Sequence, residues 1–504
     1  MKIFRLIAQI MMIFILVMLL IGPSNGSGQA VAKAQPELMQ AAALQPQQMV
    51  RVIVQQNPTA SDLEAQVSRM GGRVSADLSI IHAFAAELPA NAAVKLARDP
   101  GVRWVSLDAA VQSTVCTQCI DTTTLANAYI GTIKASQVWN STPYLQGKAI
   151  GVAVIDSGIN PNGDLYTQAG VNRQVGNVRF NNDYNQTTSD GYGHGTHVAS
   201  IIGGDGSESG GKYIGVAPMV NLINVKVSND DGSATMANVV AGLQWVLQNK
   251  NTYNIRVVNL SLNSTVAESY HTNPLDAAVE ILWFNRIVVV VAAGNKGNGA
   301  IYPPANDPFV ITVGAVDDNG TSSIADDKVA SFSAYGKSET GAVKPELVAP
   351  GKNIVARIVN SNMGIAAAHP ANLVNNQYFR MSGTSMAAPM VSGAVALLLQ
   401  DEPNLSPDQV KYRLMSRANK NWPGYNANKA GAGILDIYAA VTGTGTQSSN
   451  TGIKASKLLT TGSSPISSSV SWNSVSWNSV SWNSVSWNSV SWNSVSWNSD
   501  YWGN

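Results

Sequence analysis

The 504-residue chain is 45% apolar and 12% charged, with 43 glycines and a formal net charge of +1. A charged fraction about half the ~25% usual for globular domains, with no basic excess, argues against a polyanionic partner such as nucleic acid. The length allows about three folding units, one of them large.

In chain order, Lys2 and Arg5 precede residues 6–21, an apolar run interrupted only by Gln9, and Gly22, Pro23 and small residues follow. A basic start, an apolar middle and small residues beyond describe an export signal over residues 1–30. The rival, a membrane anchor, wants ~20 apolar residues. After a Gln-rich stretch, residues 50–55 (VRVIVQ) read as a strand and 61–70 as a helix behind a Ser61-Asp62 N-cap. Residues 80–88 then read as a strand, 91–98 as a helix and 102–107 (VRWVSL) as a strand. That β-α-β-α-β order predicts a small α+β, ferredoxin-like unit over about 45–114. The only cysteines, Cys116 and Cys119, follow it. One C-x-x-C pair cannot complete a four-ligand zinc shell, and no thioredoxin-like context surrounds it; a local disulfide or two idle thiols remain.

From about Gly147 a longer α/β pattern begins. Residues 149–155 (AIGVAVI), 220–227, 257–262 and 287–292 (IVVVVA) are β-branched runs with little alternation, as parallel strands buried on both faces require. Helical stretches at 236–248 and 276–285 lie among them, which predicts a doubly wound, mostly parallel sheet flanked by helices. Ser406-Pro407 marks a helix start, and a last helix is expected near 434–441. From 443 the chain is rich in Ser, Thr and Gly, and V-S-W-N-S repeats six times over residues 470–499. Its five-residue period fits neither a helix nor a strand. This is a low-complexity tail, or else an adhesive one contacting a cell surface or polysaccharide through its tryptophans.

Three segments carry chemistry. AIGVAVI runs into Asp156-Ser157-Gly158, placing a carboxylate at a strand's C-terminal end. Gly193-His194-Gly195-Thr196-His197 sets a histidine at a helix start. Gly383-Thr384-Ser385-Met386-Ala387 leads into an apolar helix, so Ser385 falls on its first turn, where unpaired N–H groups favour developing negative charge. A serine hydroxyl becomes nucleophilic when an imidazole removes its proton, and a carboxylate fixes the imidazole's tautomer. Asn295, just beyond IVVVVA, could supply an amide donor to the oxyanion. H-G-T-H lacks the H-E-x-x-H arrangement of zinc peptidases, so one of the two histidines is expected to be structural.

The segments VIDSGI, GHGTHVAS, AAGN and GTSMAAP resemble the signature blocks of the subtilisin-like serine proteases, in that family's Asp, His, Ser order. The resemblance covers about residues 149–441. It implies a secreted endopeptidase needing no cofactor for chemistry, with Asp156, His194 and Ser385 as triad and Asn295 as oxyanion donor. It would place Ser261, Leu262, Asn263, Ala293 and Gly294 along a cleft for protein or peptide substrates. It also makes the 45–114 unit an inhibitory propeptide, removed near 113–116, ahead of a peptidase domain at 115–442 and a tail at 443–504. Family members often bind structural calcium at surface loops; residues 203–213, holding Asp205 and Glu208, and 181–183 offer oxygens without diagnostic spacing. The chain departs from the family at Asn263, where a glycine usually lines the primary pocket, and at Met390, where a histidine is common. The alternative is a catalytically idle scaffold that binds surfaces through its tail.

Overall fold

Two units, Met1–Val115 and Cys116–Asn504, make up the chain in the computed structural model. It describes residues 33–109, 118–461, 464–465 and 495–497, apart from 59, 61, 168, 182–185, 298, 300 and 359. The expected export signal, the processing region at 113–116 and most of the repeat lie outside the described residues. Cys119 is disulfide-bonded.

In the first unit, helix α1 (Pro36–Leu44) is followed by β1 (Met49–Gln56), α2 (Leu63–Arg69), β2 (Arg73–Leu78), β3 (Ala83–Pro89), α3 (Ala90–Leu96) and β4 (Val102–Leu107). The strands form an antiparallel sheet in the order β2-β3-β1-β4, a split β-α-β arrangement. Val52, Val54, Phe84 and Leu88 on one sheet face meet Val67 and Leu96 from the helices. Strand β2 is absent from the sequence-based order because its residues are mostly exposed and carry no apolar run. The strand expected from residue 80 begins at Ala83, after a 3₁₀ turn at Ser79–Ile81. Asp62 does not cap α2; its backbone is left-handed and its carboxylate pairs with Arg69.

The second unit is built on β5 (Gly151–Asp156), β6 (Gln174–Arg179), β7 (Asn221–Lys226), β8 (Ile255–Leu260), β9 (Leu262–Ser264), β10 (Val288–Ala292), β11 (Ile311–Asp317), β12 (Lys328–Val329) and β13 (Leu347–Pro350). The main sheet runs β12-β11-β10-β8-β5-β7-β6, with β13 also on β11, and only β12 is antiparallel. Strands β5 and β10 are buried at every residue, which explains their unalternating sequences.

Six helices matter to the site or the core: α4 (His194–Gly203), α5 (Met236–Asn249), α6 (Pro274–Phe284), α7 (Thr384–Asp401), α8 (Pro407–Arg417) and α9 (Ile437–Thr442). Helix α7 is buried from Thr384 to Leu399, so it is apolar all round rather than striped. Ser406 caps α8 with Pro407 at its first position, as the sequence predicts, and Gln409 completes a reciprocal capping box with Ser406. A short strand, β14 (Val495–Trp497), pairs antiparallel with β9. Among the described residues no helix is long and apolar enough to cross a membrane.

Candidate active site

Because β5, β7, β8 and β10 are parallel, their C-terminal ends lie along one edge, the usual place for a ligand in an open α/β sheet. The chain fills one side of β5 with β6 and β7, then crosses to β8 on the other, so β5 marks the switch. Its last residue, Asp156, is fully buried and stands in register with Lys226 of β7. Lys226 Nζ donates to Ser157 O at 2.7 Å and Ser189 O at 2.9 Å and pairs with Asp230, fixing the turn after Asp156.

His194, the first residue of α4, brings Nδ1 to 2.8 Å from Asp156 Oδ1, with both side chains fully buried. A carboxylate offers only lone pairs, so the facing ring nitrogen carries hydrogen and Nε2 is left as the basic position. Two glycines allow this approach. Gly193 has φ 106°, and a Cβ on Gly195 would stand 2.2 Å from Gly158 O and 3.0 Å from Asp156 Oδ1.

Asp190, not singled out from the sequence, braces the same junction. Its Oδ1 accepts from Gly193 N at 2.7 Å and Ser157 Oγ at 2.8 Å, and its Oδ2 from Thr196 N at 2.8 Å and Oγ1 at 2.7 Å. Burial raises its pKa, and these donors pull it back towards the carboxylate. Its sequence position gave no signal, since it lies four residues before His194 and the N-cap is Gly193. His197 is the structural histidine: Nε2 lies 3.0 Å from Phe379 O, and burial lowers its pKa to about 3, keeping it neutral.

Ser385 sits on the first turn of α7, which packs against α4. Its Oγ donates to Ser261 O at 3.0 Å, and Ser261 Oγ donates to Ser385 O at 3.0 Å. The second bond follows from Pro389, four residues on, which has no N–H for the Ser385 carbonyl and leaves it to an outside donor. Asn259 of β8 secures the arrangement, donating to Ser261 Oγ at 2.9 Å and accepting from Ser392 Oγ at 2.9 Å.

Asn295 is drawn to the same turn. Its Oδ1 accepts from Thr384 N at 2.9 Å and Thr384 Oγ1 at 3.0 Å, and Gly294 N donates to Thr384 Oγ1 at 3.0 Å. With the oxygen so committed, Nδ2 is enclosed and has no hydrogen-bond partner among the described residues. An unpaired buried donor costs about 1–3 kcal/mol, which makes it a place where a ligand oxygen gains.

Leu262 and Asn263 lie on β9, and Ala293 and Gly294 just beyond β10; all four are buried. Asn263 Nδ2 donates to Ala292 O at 2.9 Å, so the side chain spans the two walls that glycine would leave apart. Met390 is wholly buried in the core. Of the two loops offered for calcium, residues 182–183 lie outside the described residues; at 203–213, Glu208 Oε2 is held by Arg357 at 2.5 Å and by Gly163 N at 3.0 Å, and Asp205 Oδ1 accepts from Ser207 N at 2.9 Å, which commits these oxygens to the protein itself. Among the described residues no group of three or more acidic, histidine or cysteine side chains is placed to hold a metal ion.

Residues 147–434 match the model of the Subtilase family. Serine protease AprX of Bacillus subtilis (strain 168) is 40% identical over 322 residues, covering 61% of this chain and 70% of that protein. Subtilisin DY of Bacillus licheniformis is 34% identical over 299 residues, 58% of this chain and 92% of that protein. An alkaline protease of Shouchella clausii is 30% identical over 384 residues, 74% of this chain and 85% of that protein. With the family match spanning more than half of its length, the chain belongs to the subtilase family and is a subtilisin-like serine endopeptidase.

Proposed function

We propose that the chain is exported as a precursor and hydrolyses peptide bonds through Asp156, His194 and Ser385. On this reading residues 1–30 are a signal peptide, 45–114 an inhibitory propeptide removed by the enzyme itself, 115–442 the peptidase domain and 443–504 a tail. An extended peptide lies along the backbone of residues 261–263 as an added strand, opposite Ala293 and Gly294. Ser385 Oγ gives its proton to His194 Nε2 as it bonds to the carbonyl carbon. The imidazolium is stabilised by Asp156 and then protonates the leaving amine, and water repeats the sequence on the acyl-enzyme. The negative oxygen formed in each step is received by Asn295 Nδ2 and the N–H of Ser385.

The observation that carries this reading is the enclosed, unsatisfied Nδ2 of Asn295, whose oxygen is bonded to Thr384, the neighbour of Ser385, on the sheet edge where Asp156 holds His194. The idle-scaffold alternative would call for a replaced triad or oxyanion residue, and all four are intact. Ser385→Ala tests the proposal. Casein hydrolysis is expected to fall by roughly 10⁶, the loss known for subtilisin's own nucleophile, and the precursor to remain unprocessed. A variant that still matures and digests casein would overturn it.

A further inference from the structure

Strand β9 has one ladder partner among the described residues, and it comes from the chain itself. Val495 stands opposite Ser264, Ser496 opposite Asn263 and Trp497 opposite Leu262, antiparallel. These three residues are the V-S-W of the sixth repeat. The pairing has a direction. From Val495 to Trp497 the strand advances along β9 towards Ser261, whose carbonyl accepts from Ser385 Oγ at 3.0 Å. A segment entering in this sense runs with its C-terminal end towards the nucleophile.

The repeat's composition suits the role. Valine and tryptophan favour strands, neither glycine nor proline interrupts the repeats, and no charge occurs between Lys457 and Asp500. An edge strand can take up an extended chain as an added strand through backbone hydrogen bonds. Because V-S-W recurs every five residues, each of six copies offers the same three-residue register, and loss of one leaves five others.

We infer that the V-S-W-N-S tail is an intramolecular competitor that pairs with residues 262–264 and so overlaps the substrate strand position on residues 261–263. The inference rests on the proposed use of this edge for peptide substrates. Tethering gives an effective concentration on the order of 1 mM. A repeat peptide inhibiting in trans at a few hundred micromolar would therefore raise KM about threefold to fivefold in cis, with kcat unchanged. The tail thereby sets a threshold: substrates that pair well with β9 displace it, and weak ones do not.

The test compares mature full-length protein with a form ending at Pro465, their masses verified before and after assay. Two measurements are made: hydrolysis of a chromogenic peptide, with and without added SVSWNSVSWNS, and amide hydrogen exchange over residues 259–266. The expected results are a KM at least about threefold lower without the tail, competitive inhibition of the shortened form by the peptide, and faster exchange at 262–264 once the tail is gone. Equal KM values with equal exchange would overturn the inference while leaving the protease reading intact. Slower exchange in the full-length form, with neither form hydrolysing any peptide, would support tail docking and sink the proposed hydrolysis instead.

Discussion

Asn295→Asp separates the two ends of the Asn295 amide. The substitution keeps an oxygen for Thr384 N and Thr384 Oγ1, which now occupy Oδ1, and replaces the enclosed Nδ2 donor with a second acceptor. If that donor serves the oxyanion, kcat should fall by about 10²–10³, the cost of one such donor in subtilisin, with KM little changed because ground-state binding does not use it. Steady-state kinetics on a peptide substrate checks this, and a rise in KM alone would assign the residue to substrate binding. The sequence made Asn295 a candidate through its place after a buried strand. It gave no sign that Thr384 would claim the oxygen, since that depends on a contact between residues 89 positions apart. Asp190 and Lys226 were hidden for the same reason: each acts through several loops that only the fold brings together.

At the scale of elements, the fit of α4 against the Asp156 turn depends on Gly195. An added Cβ would meet Gly158 O at 2.2 Å, and neither group is a flexible side chain that can give way. Gly195→Ala should cost about 1–3 kcal/mol of stability and lower kcat by displacing His194. Gly336→Ala, where the nearest atom is Ile301 Cγ1 at 3.4 Å, should be tolerated; thermal unfolding of both variants distinguishes them. Legibility followed burial. β5 and β10 are buried on both faces and spell that out as unbroken β-branched runs, and α5 opens at Met236 as its spacing predicts, with Thr235 as cap. β2 and β6 were missed because exposed and polar residues dilute any pattern. The strand expected over 257–262 is in fact two, β8 and β9, parted at Ser261 where its side chain turns to Ser385 O.

At the scale of the molecule, this charge-poor chain still buries a cluster of ionisable groups, Asp276, Glu280, Asp307, Lys344, Glu346 and Lys411. Burial raises the carboxyls of Asp276 and Glu280 well above their ordinary range, reinforced by Asp307, itself pushed to about 6. Nearby, Lys344 and Lys411 pair with Glu346 at 2.7 and 2.9 Å. A carboxyl whose pKa is higher in the folded than in the unfolded protein holds its proton better when folded. The stability this gives is complete below the unfolded value of about 4 and is lost as pH rises through the folded value. Asp276→Asn removes one such group and keeps its shape. In a Ser385→Ala background, which prevents self-digestion, it should raise the unfolding temperature at pH 8 by roughly 2–4 °C per kcal/mol relieved and change little at pH 4. A variant destabilised at both pH values would show that Asp276 is charged and needed in the native protein.

The central claim is that Ser385, and no other serine, is made nucleophilic by the His194–Asp156 pair. Its most direct test is treatment of the active protein with an organophosphorus fluoridate, followed by peptide mapping of the adduct. A single modification on Ser385, lost in His194→Ala, is predicted. A modification on a different serine, or full proteolytic activity with Ser385 unmodified, would contradict the account.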